Sequence, residues 1–354
     1  MYYTTQHYWT WWLALYLFLG GMGAASVAIS CLTDMYLKPH PQLVLWGNLS
    51  GFMMLNIGSS MLFLHLLHHL AVINVLVPTV LLNKPDAWIA WGTQFIVWMM
   101  LLSLLYALPY MRASAFFQKL PIVNKILECK LIAWLDAQIT KVQRIIGWLA
   151  TLSSIGTVIY TGLLLQSFPA VALWNNPGVP ILFSISAFST ALAFLLLALY
   201  LAIKDDQDHQ LIALFERADL ILVGLEIVVI FVFFQYTTTS SESARHSAHL
   251  LWNDNGWLIG FLTLGLIVPF LLELKGVIHG WKGHAPIIIA ALLVLNGGYL
   301  LRYYFMNAGV YGMPYPPHAY SVYRAPEQGI NQMTIIIPEE NPQVINGTSD
   351  DLVN

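Results

Sequence analysis

The feature that most constrains this chain is a series of long apolar runs, several close to the roughly 20 residues that carry an α-helix across a bilayer. They recur along most of the 354 residues. In hydrocarbon every backbone N–H and C=O must be satisfied internally, so only helices and closed β-barrels can span. These runs are continuous rather than alternating, which argues against a barrel. Charged residues make up only 9% of the chain, against about 25% in a soluble domain. The sequence therefore predicts an all-α integral membrane protein.

Eight spans are expected, at about 11–33, 43–69, 87–108, 142–166, 180–203, 218–236, 256–274 and 285–306. Prolines mark several boundaries, with a break predicted at Leu108-Pro109 and starts at Pro180 and Pro286. The bundle occupies 1–306. Within it, the segment 109–141 mixes Lys, Arg and Glu with Leu, Ile and Trp and reads as an amphipathic helix on the membrane surface. The tail, 307–354, is rich in Pro, Tyr, Asn and Gly and is expected to be extended.

Basic residues set the orientation. Odd-to-even connections hold Lys38, Arg112, Lys119, Lys125, Lys130, Lys141, Arg144, Lys204, Arg217, Lys275 and Lys282. The other side holds only Lys84, Arg245, Arg302 and Arg324. This bias predicts that the richer side is cytoplasmic and that both termini are extracytoplasmic. The net charge of −3 offers no basis for a nucleic-acid partner. Cys31 and Cys129 are neither a disulfide framework nor metal ligands by spacing.

Polar residues within apolar spans are costly and are therefore candidate functional groups. Ser153, Thr157 and Tyr160 share one stripe of span 4. The first two read as helix-packing groups. Tyr160 fits either an interfacial belt residue or a ligand contact near the outer face. Tyr16 lies about one turn inside span 1, and the loop after span 4 carries Trp174 and Asn175. Span 2 ends with His65, His68 and His69. No other span has a mid-layer histidine, so paired axial ligands for haem are not expected, and no third ligand completes a zinc site. Arg302 closes span 8 and fits either snorkelling to headgroups or facing the outer pocket.

Span 6 carries Arg217, Asp219 and Glu226. The two acids are seven residues apart, about 10 Å along one stripe. Glu226 lies deep in an apolar run and should be neutral, paired or beside water. It fits either a packing carboxyl group or a proton relay toward the cytoplasm. Together these residues suggest an outward-facing pocket framed by Tyr16, Tyr160, Trp174, Asn175, His65 and Arg302, suited to a lipid-soluble redox carrier.

The chain resembles the NrfD / polysulfide-reductase membrane-subunit family. The resemblance rests on Tyr16-Leu-Phe-Leu-Gly-Gly21, Asn83-Lys-Pro-Asp-Ala-Trp-Ile-Ala-Trp-Gly92, Tyr160-Thr-Gly-Leu-Leu-Leu165 and Leu173-Trp-Asn-Asn-Pro-Gly-Val-Pro180. Arg217-Ala-Asp219 with Glu226, and Gly297-Gly-Tyr-Leu-Leu-Arg302, complete it.

The resemblance implies the quinone-reactive anchor subunit of a respiratory oxidoreductase, such as a polysulfide-, thiosulfate- or tetrathionate-type reductase. It implies exchange of menaquinone or another quinone, no haem or metal in this chain, and contact with membrane lipids. An extracytoplasmic four-cluster iron–sulfur subunit would link it to a molybdopterin or multihaem catalytic subunit. By position the family's site tyrosine falls on Tyr160, and a span-1 contact, histidine in the polysulfide-reductase type, falls on Tyr16. Trp174 and Asn175 match the loop pattern, and the span-6 acids match residues suspected of proton handling. The acidic residue and arginine usual after span 2 are replaced by His68-His69-Leu70-Ala71. A proton-linked transporter or channel, and a passive anchor, are the alternatives.

Overall fold

The computed structural model describes residues 2–6, 9, 11–37, 40–65, 76–77, 79–83, 87–203, 209–280, 283–313, 321–323, 332–337 and 343–348. Its elements begin with strand β1 (Tyr2–Thr5), then helices α1 (Trp11–Tyr36), α2 (Pro41–His65), α3 (Thr79–Asn83) and α4 (Trp88–Ala113). Two short helices, α5 (Ala115–Gln118) and α6 (Pro121–Leu127), precede the 37-residue α7 (Lys130–Gln166). Helix α8 (Gly178–Leu197) continues into a wider π-helical stretch, Ala198–Ile203. Then come α9 (His209–Ser240), α10 (Glu242–Trp252), a second π-helical stretch Gly256–Ile267 running into α11 (Val268–His279), and α12 (Ala285–Asn307). Strands β2 (Val310–Met313), β3 (Ser321–Tyr323), β4 (Gln332–Ile337) and β5 (Gln343–Thr348) follow.

Seven of the described helices are long and apolar enough to cross a bilayer. They correspond to every expected span except the second. That one, α2, has 25 residues but carries Asn48, Ser50, Asn56, Ser59 and Ser60, which dilute its hydropathy. It lies flush along α1. A Cβ on Gly51 would come within 2.5 Å of the Gly23 carbonyl oxygen, so glycine at this crossing is what lets the backbones meet.

Polarity is distributed inside out. Ile221, Val228 and Phe231 on α9 and Leu152 on α7 are exposed, while Asn48, Ser186, Ser189, Asp219, Glu226 and Arg302 are buried. Ser153 and Thr157 donate to the carbonyls of Leu149 and Ser153 in their own helix, at 2.7 and 2.9 Å, which is the packing role expected of them.

Several boundaries differ from expectation. Helix α4 runs through Pro109 to Ala113 rather than breaking at Leu108-Pro109. Proline removes one backbone bond near the helix end, whereas unwinding in apolar surroundings would free several. The segment 109–141 is not one surface helix. It comprises the end of α4, α5, α6 and the first turns of α7, which extends about 55 Å in all. Arg112 ties these pieces together by pairing with Asp136 and donating to the Leu127 carbonyl at 3.1 Å. Helix α10, between the sixth and seventh spans, is an element that hydropathy does not predict.

Both ends of the bundle are joined at one face. β1 pairs antiparallel with β2, Tyr2 opposite Met313 and Thr5 opposite Val310. Gln6 extends this ribbon, its side-chain amide donating to the carbonyls of Trp9 and Met306. Tyr3 reaches α10, donating to Glu242 at 3.0 Å and stacking on His246. We term this the terminal face. The tail's strands β3, β4 and β5 form a separate antiparallel sheet.

Candidate functional site

Two polar groups contain the expected site residues. The first lies near the terminal face. Tyr16 is five residues from the start of α1, and Tyr160 six from the end of α7. At 1.5 Å per residue both sit about 8–9 Å inside their helix ends. Both are buried, at 2% and 3% exposure, and their hydroxyls are hydrogen-bonded to each other. The Tyr160 ring packs against α4 at Gly92, where any Cβ would enter the ring. Tyr16 packs on α2 at Gly58, where a Cβ would stand 3.3 Å from the ring. Glycines on two neighbouring helices thus make room for two aromatic side chains.

The second group begins at Arg302. Its side chain is fully buried rather than snorkelling. The cause is direction: helical side chains tilt toward the helix N-terminus, and α12 runs toward the terminal face, so Arg302 points back into the bundle. The guanidinium donates to Ser186 Oγ at 3.0 Å, the Gly298 carbonyl at 2.7 Å and the Phe183 carbonyl at 3.1 Å. It lies over the rings of Phe18 and Phe183. Among the described residues its Nε–H has no acceptor.

From Arg302 the polar groups continue inward along α8 and α9. Ser186 is also hydrogen-bonded to the Glu226 carboxyl group, which senses the Arg302 charge. One turn further, Ser189 donates to Asp219 Oδ1 at 2.6 Å. Asp219 interacts electrostatically with Glu226 and with Glu273 on α11, and Glu273 with Glu216. Each carboxyl group is within influence of the next. Arg217 is exposed and lines a cavity of about 380 Å3 at the far face, with Tyr200, Glu216 and His284.

The expected site residues therefore divide. Tyr16 meets Tyr160, and Arg302 meets Glu226 through Ser186. Trp174 is buried, with its indole N–H donating to the Phe305 carbonyl at 2.7 Å and its ring stacked on Trp9. It clamps the 167–177 loop to α12, one turn beyond Arg302. Asn175 is exposed and donates to the Gln166 carbonyl at 2.9 Å. The buried asparagine is its neighbour Asn176, which caps Gly178 and donates to Thr237. The His65 side chain, with His68 and His69, lies outside the described residues. No group of three or more His, Cys, Asp or Glu side chains suited to a metal occurs among the described residues.

Sequence reading missed Ser186, Ser189 and Glu273. The serines were legible as an i, i+3 pair on an apolar helix, extended by Thr190 to i+4. Glu273 was obscured by Lys275, which made it look like part of a span end.

Comparison with known proteins agrees with this architecture. The family model "Polysulphide reductase, NrfD" matches residues 3–313. Protein NrfD of Escherichia coli is 26% identical over 195 residues, covering 54% of this chain and 58% of that protein. The C subunit of the polysulfide reductase of Wolinella succinogenes is 28% identical over 162 residues, covering 44% and 50%. A NrfD homolog of Haemophilus influenzae is 28% identical over 155 residues, covering 42% and 48%. The matched part spans about half the length of these curated relatives.

Proposed function

The chain belongs to the polysulphide reductase NrfD family, and from that premise we propose that it is the quinone-reactive membrane subunit of a respiratory oxidoreductase. The observation that carries this reading is the buried, mutually hydrogen-bonded pair Tyr16–Tyr160. Two hydroxyls beneath apolar helices offer what a quinone head group needs: donors for its carbonyl oxygen, with hydrocarbon around its tail. Each hydroxyl can exchange its tyrosine partner for a carbonyl oxygen at little cost, because one hydrogen bond replaces another.

Quinone is the substrate here, and its reduction takes up two electrons and two protons. Tyr16 and Tyr160 orient the head group, while the burial of both rings keeps bulk water from its oxygens. Arg302 provides a fixed positive charge deeper in the bundle, and Ser186, Glu226, Ser189 and Asp219 carry protons away from or toward the site. Arg217 faces water at the far end of that row. Trp174 and Asn175 hold the loop over the terminal face. His65 is retained as a candidate contact, from its place at the end of α2.

In this reading α2 is the eighth crossing, the terminal face is extracytoplasmic, and the protein resides in the cytoplasmic membrane. A four-cluster iron–sulfur subunit docks on the terminal face and links the quinone to a molybdopterin or multihaem catalytic subunit. The basic residues gathered at the opposite face support this orientation. A proton-linked transporter is the second reading, favoured by the buried carboxyl row alone.

The test is Tyr160→Phe in the assembled complex. Quinol-dependent turnover should fall by about 100-fold or more, the range for loss of a positioned proton-transfer or hydrogen-bonding group, with assembly intact. Unchanged quinol kinetics in that variant would remove Tyr160 from the site. A preparation with neither bound quinone nor quinol activity would remove the quinone reading and favour a passive anchor.

A further inference from the structure

Glu273 sits on α11, six residues before the helix ends at His279 and so about 9 Å from the far face. It is 5% exposed, and its Oε2 has no hydrogen-bond partner among the described residues. Leaving a buried carboxyl oxygen unpartnered is costly, so the surroundings of this atom matter. It lines a small internal cavity of about 10 Å3 with Glu216, Asp219, Leu196, Ile287 and Ala290. That volume accommodates about one water molecule, and three carboxyl groups supply the polar partners a buried water requires.

The cavity lies between two larger features. On one side Asp219 leads through Ser189 and the Glu226–Ser186 pair to Arg302. On the other, Glu216 and Ile287 also line the open cavity of about 380 Å3, with Arg217, Tyr200 and His284. Glu216 therefore faces both spaces. Four helices converge here, Leu196 coming from α8, Asp219 and Glu216 from α9, Glu273 from α11 and Ile287 from α12. Among the described residues these carboxyl groups do not form a metal-binding cluster, so a row of proton carriers suits them better than a cation site.

We propose that Glu273 is the proton-transfer residue joining the buried Asp219–Glu226 pair to the far face, through one water held among Glu216, Asp219 and Glu273. A proton entering from the open cavity passes from Glu216 to the water, and the water releases one of its own to Glu273 or Asp219. Each carboxyl group that gains a proton on one oxygen gives up the proton on the other, so the row ends with its original charge. Two such passages accompany each two-electron reduction of quinone, the electrons arriving from the extracytoplasmic partner. Quinol oxidation runs the same steps in reverse. The inference rests on the quinone reading for its driving reaction, though not for the path itself.

The experiment uses the whole complex reconstituted in vesicles, with a trapped pH indicator. Glu273→Gln should slow quinol-coupled turnover by about 10-fold or more while leaving the quinol KM within about twofold. It should also slow proton movement at the far face. Glu273→Asp should restore most of both rates, because the carboxyl group survives. Wild-type turnover and proton movement in Glu273→Gln would overturn the proposal. So would equal loss in Gln and Asp variants with reduced assembly, which marks a structural role. If the wild-type complex binds no quinone, the quinone reading fails by itself. Voltage-driven proton flux through the same vesicles then decides the path: flux lowered by Glu273→Gln supports it, and unchanged flux refutes it.

Discussion

Arg302 Nη1 donates a 3.0 Å hydrogen bond to Ser186 Oγ, and the same hydroxyl group is hydrogen-bonded to Glu226. One serine on α8 thus couples a cation on α12 to an acid on α9. The arrangement spreads a buried cation and a buried acid, joined through one hydroxyl group, over three helices. Its cost is desolvation of the guanidinium, offset by the two carbonyl acceptors that Arg302 finds at Gly298 and Phe183.

Removing only one member of this set should be worse than removing both. Arg302→Met leaves Glu226 without its nearby positive charge and the Gly298 and Phe183 carbonyls without their donor, and should destabilise the folded protein by about 1–3 kcal/mol, the cost of unsatisfied buried groups. Arg302→Met combined with Glu226→Gln should recover part of that loss, measured by thermal unfolding in detergent in a double-variant cycle. Additive effects in the cycle would show that the two groups do not interact. Arg302→Lys should be intermediate, since lysine keeps the charge but not the planar fork that reaches Ser186, Gly298 and Phe183 together.

Gly92→Ala probes the tyrosine pocket without touching a polar group. The added methyl group would enter the Tyr160 ring, so the ring or α4 must shift. Overpacking of this kind costs about 1–3 kcal/mol. Quinol turnover should fall with the displaced hydroxyl, whereas Gly224→Ala, where the nearest atom is Phe270 Cε2 at 3.4 Å, should behave as wild type. Matched kinetics for the two variants would mean that Tyr160 tolerates displacement.

A third polar cluster lies near the opposite end of α1 and should be structural. Asp34 accepts hydrogen bonds from Tyr106 and Tyr110, each at 2.6 Å, and Gln143 donates to the Tyr110 hydroxyl at 3.0 Å. These contacts pin α1, α4 and α7 together. Tyr106→Phe removes one bond to a carboxylate and should cost about 1–3 kcal/mol, read as a lower unfolding midpoint. Quinol-dependent turnover per assembled complex should stay at the wild-type level, and a large loss of turnover would assign this cluster a functional role.

Much of the bundle was legible in the sequence because hydrocarbon imposes one simple demand, about 20 apolar residues per crossing. Seven expected spans coincide with helices apolar enough to cross. Hydropathy is blind to direction, however. Arg302 sits where a snorkelling arginine would, yet its helix runs the wrong way for that, and only the backbone path reveals it. Tyr160 and Tyr16 stand out in the sequence because hydroxyls at span ends are conspicuous. Trp174 stands out as a large amphipathic ring in the loop beyond span 4, and it turns inward to Phe305 because its indole N–H needs an acceptor. Ser186 and Glu273 escape notice because their significance is relational. Ser186 is an ordinary residue of an apolar helix and Glu273 lies at the expected end of span 7, and each acquires meaning from a group on another helix.

The Tyr16–Tyr160 pair offers the closest check on how the head group is held. If each hydroxyl donates separately to the substrate, Tyr16→Phe and Tyr160→Phe should lower turnover independently, and the double variant should lose the product of the two effects. The hydroxyls are bonded to each other, though, and Tyr16 is held by Gly58 and Tyr160 by Gly92 on different helices. Removing either leaves the other buried without its partner, at about 1–3 kcal/mol for an unsatisfied group. The double variant relieves that penalty. It should therefore lose less than the product of the single losses, and its folded stability should lie above that of the weaker single variant. Quinol kcat and KM measured across the four proteins, with unfolding midpoints alongside, distinguish the two outcomes. Strict multiplicativity of the rate effects would show that the tyrosines act as separate contacts rather than as one unit.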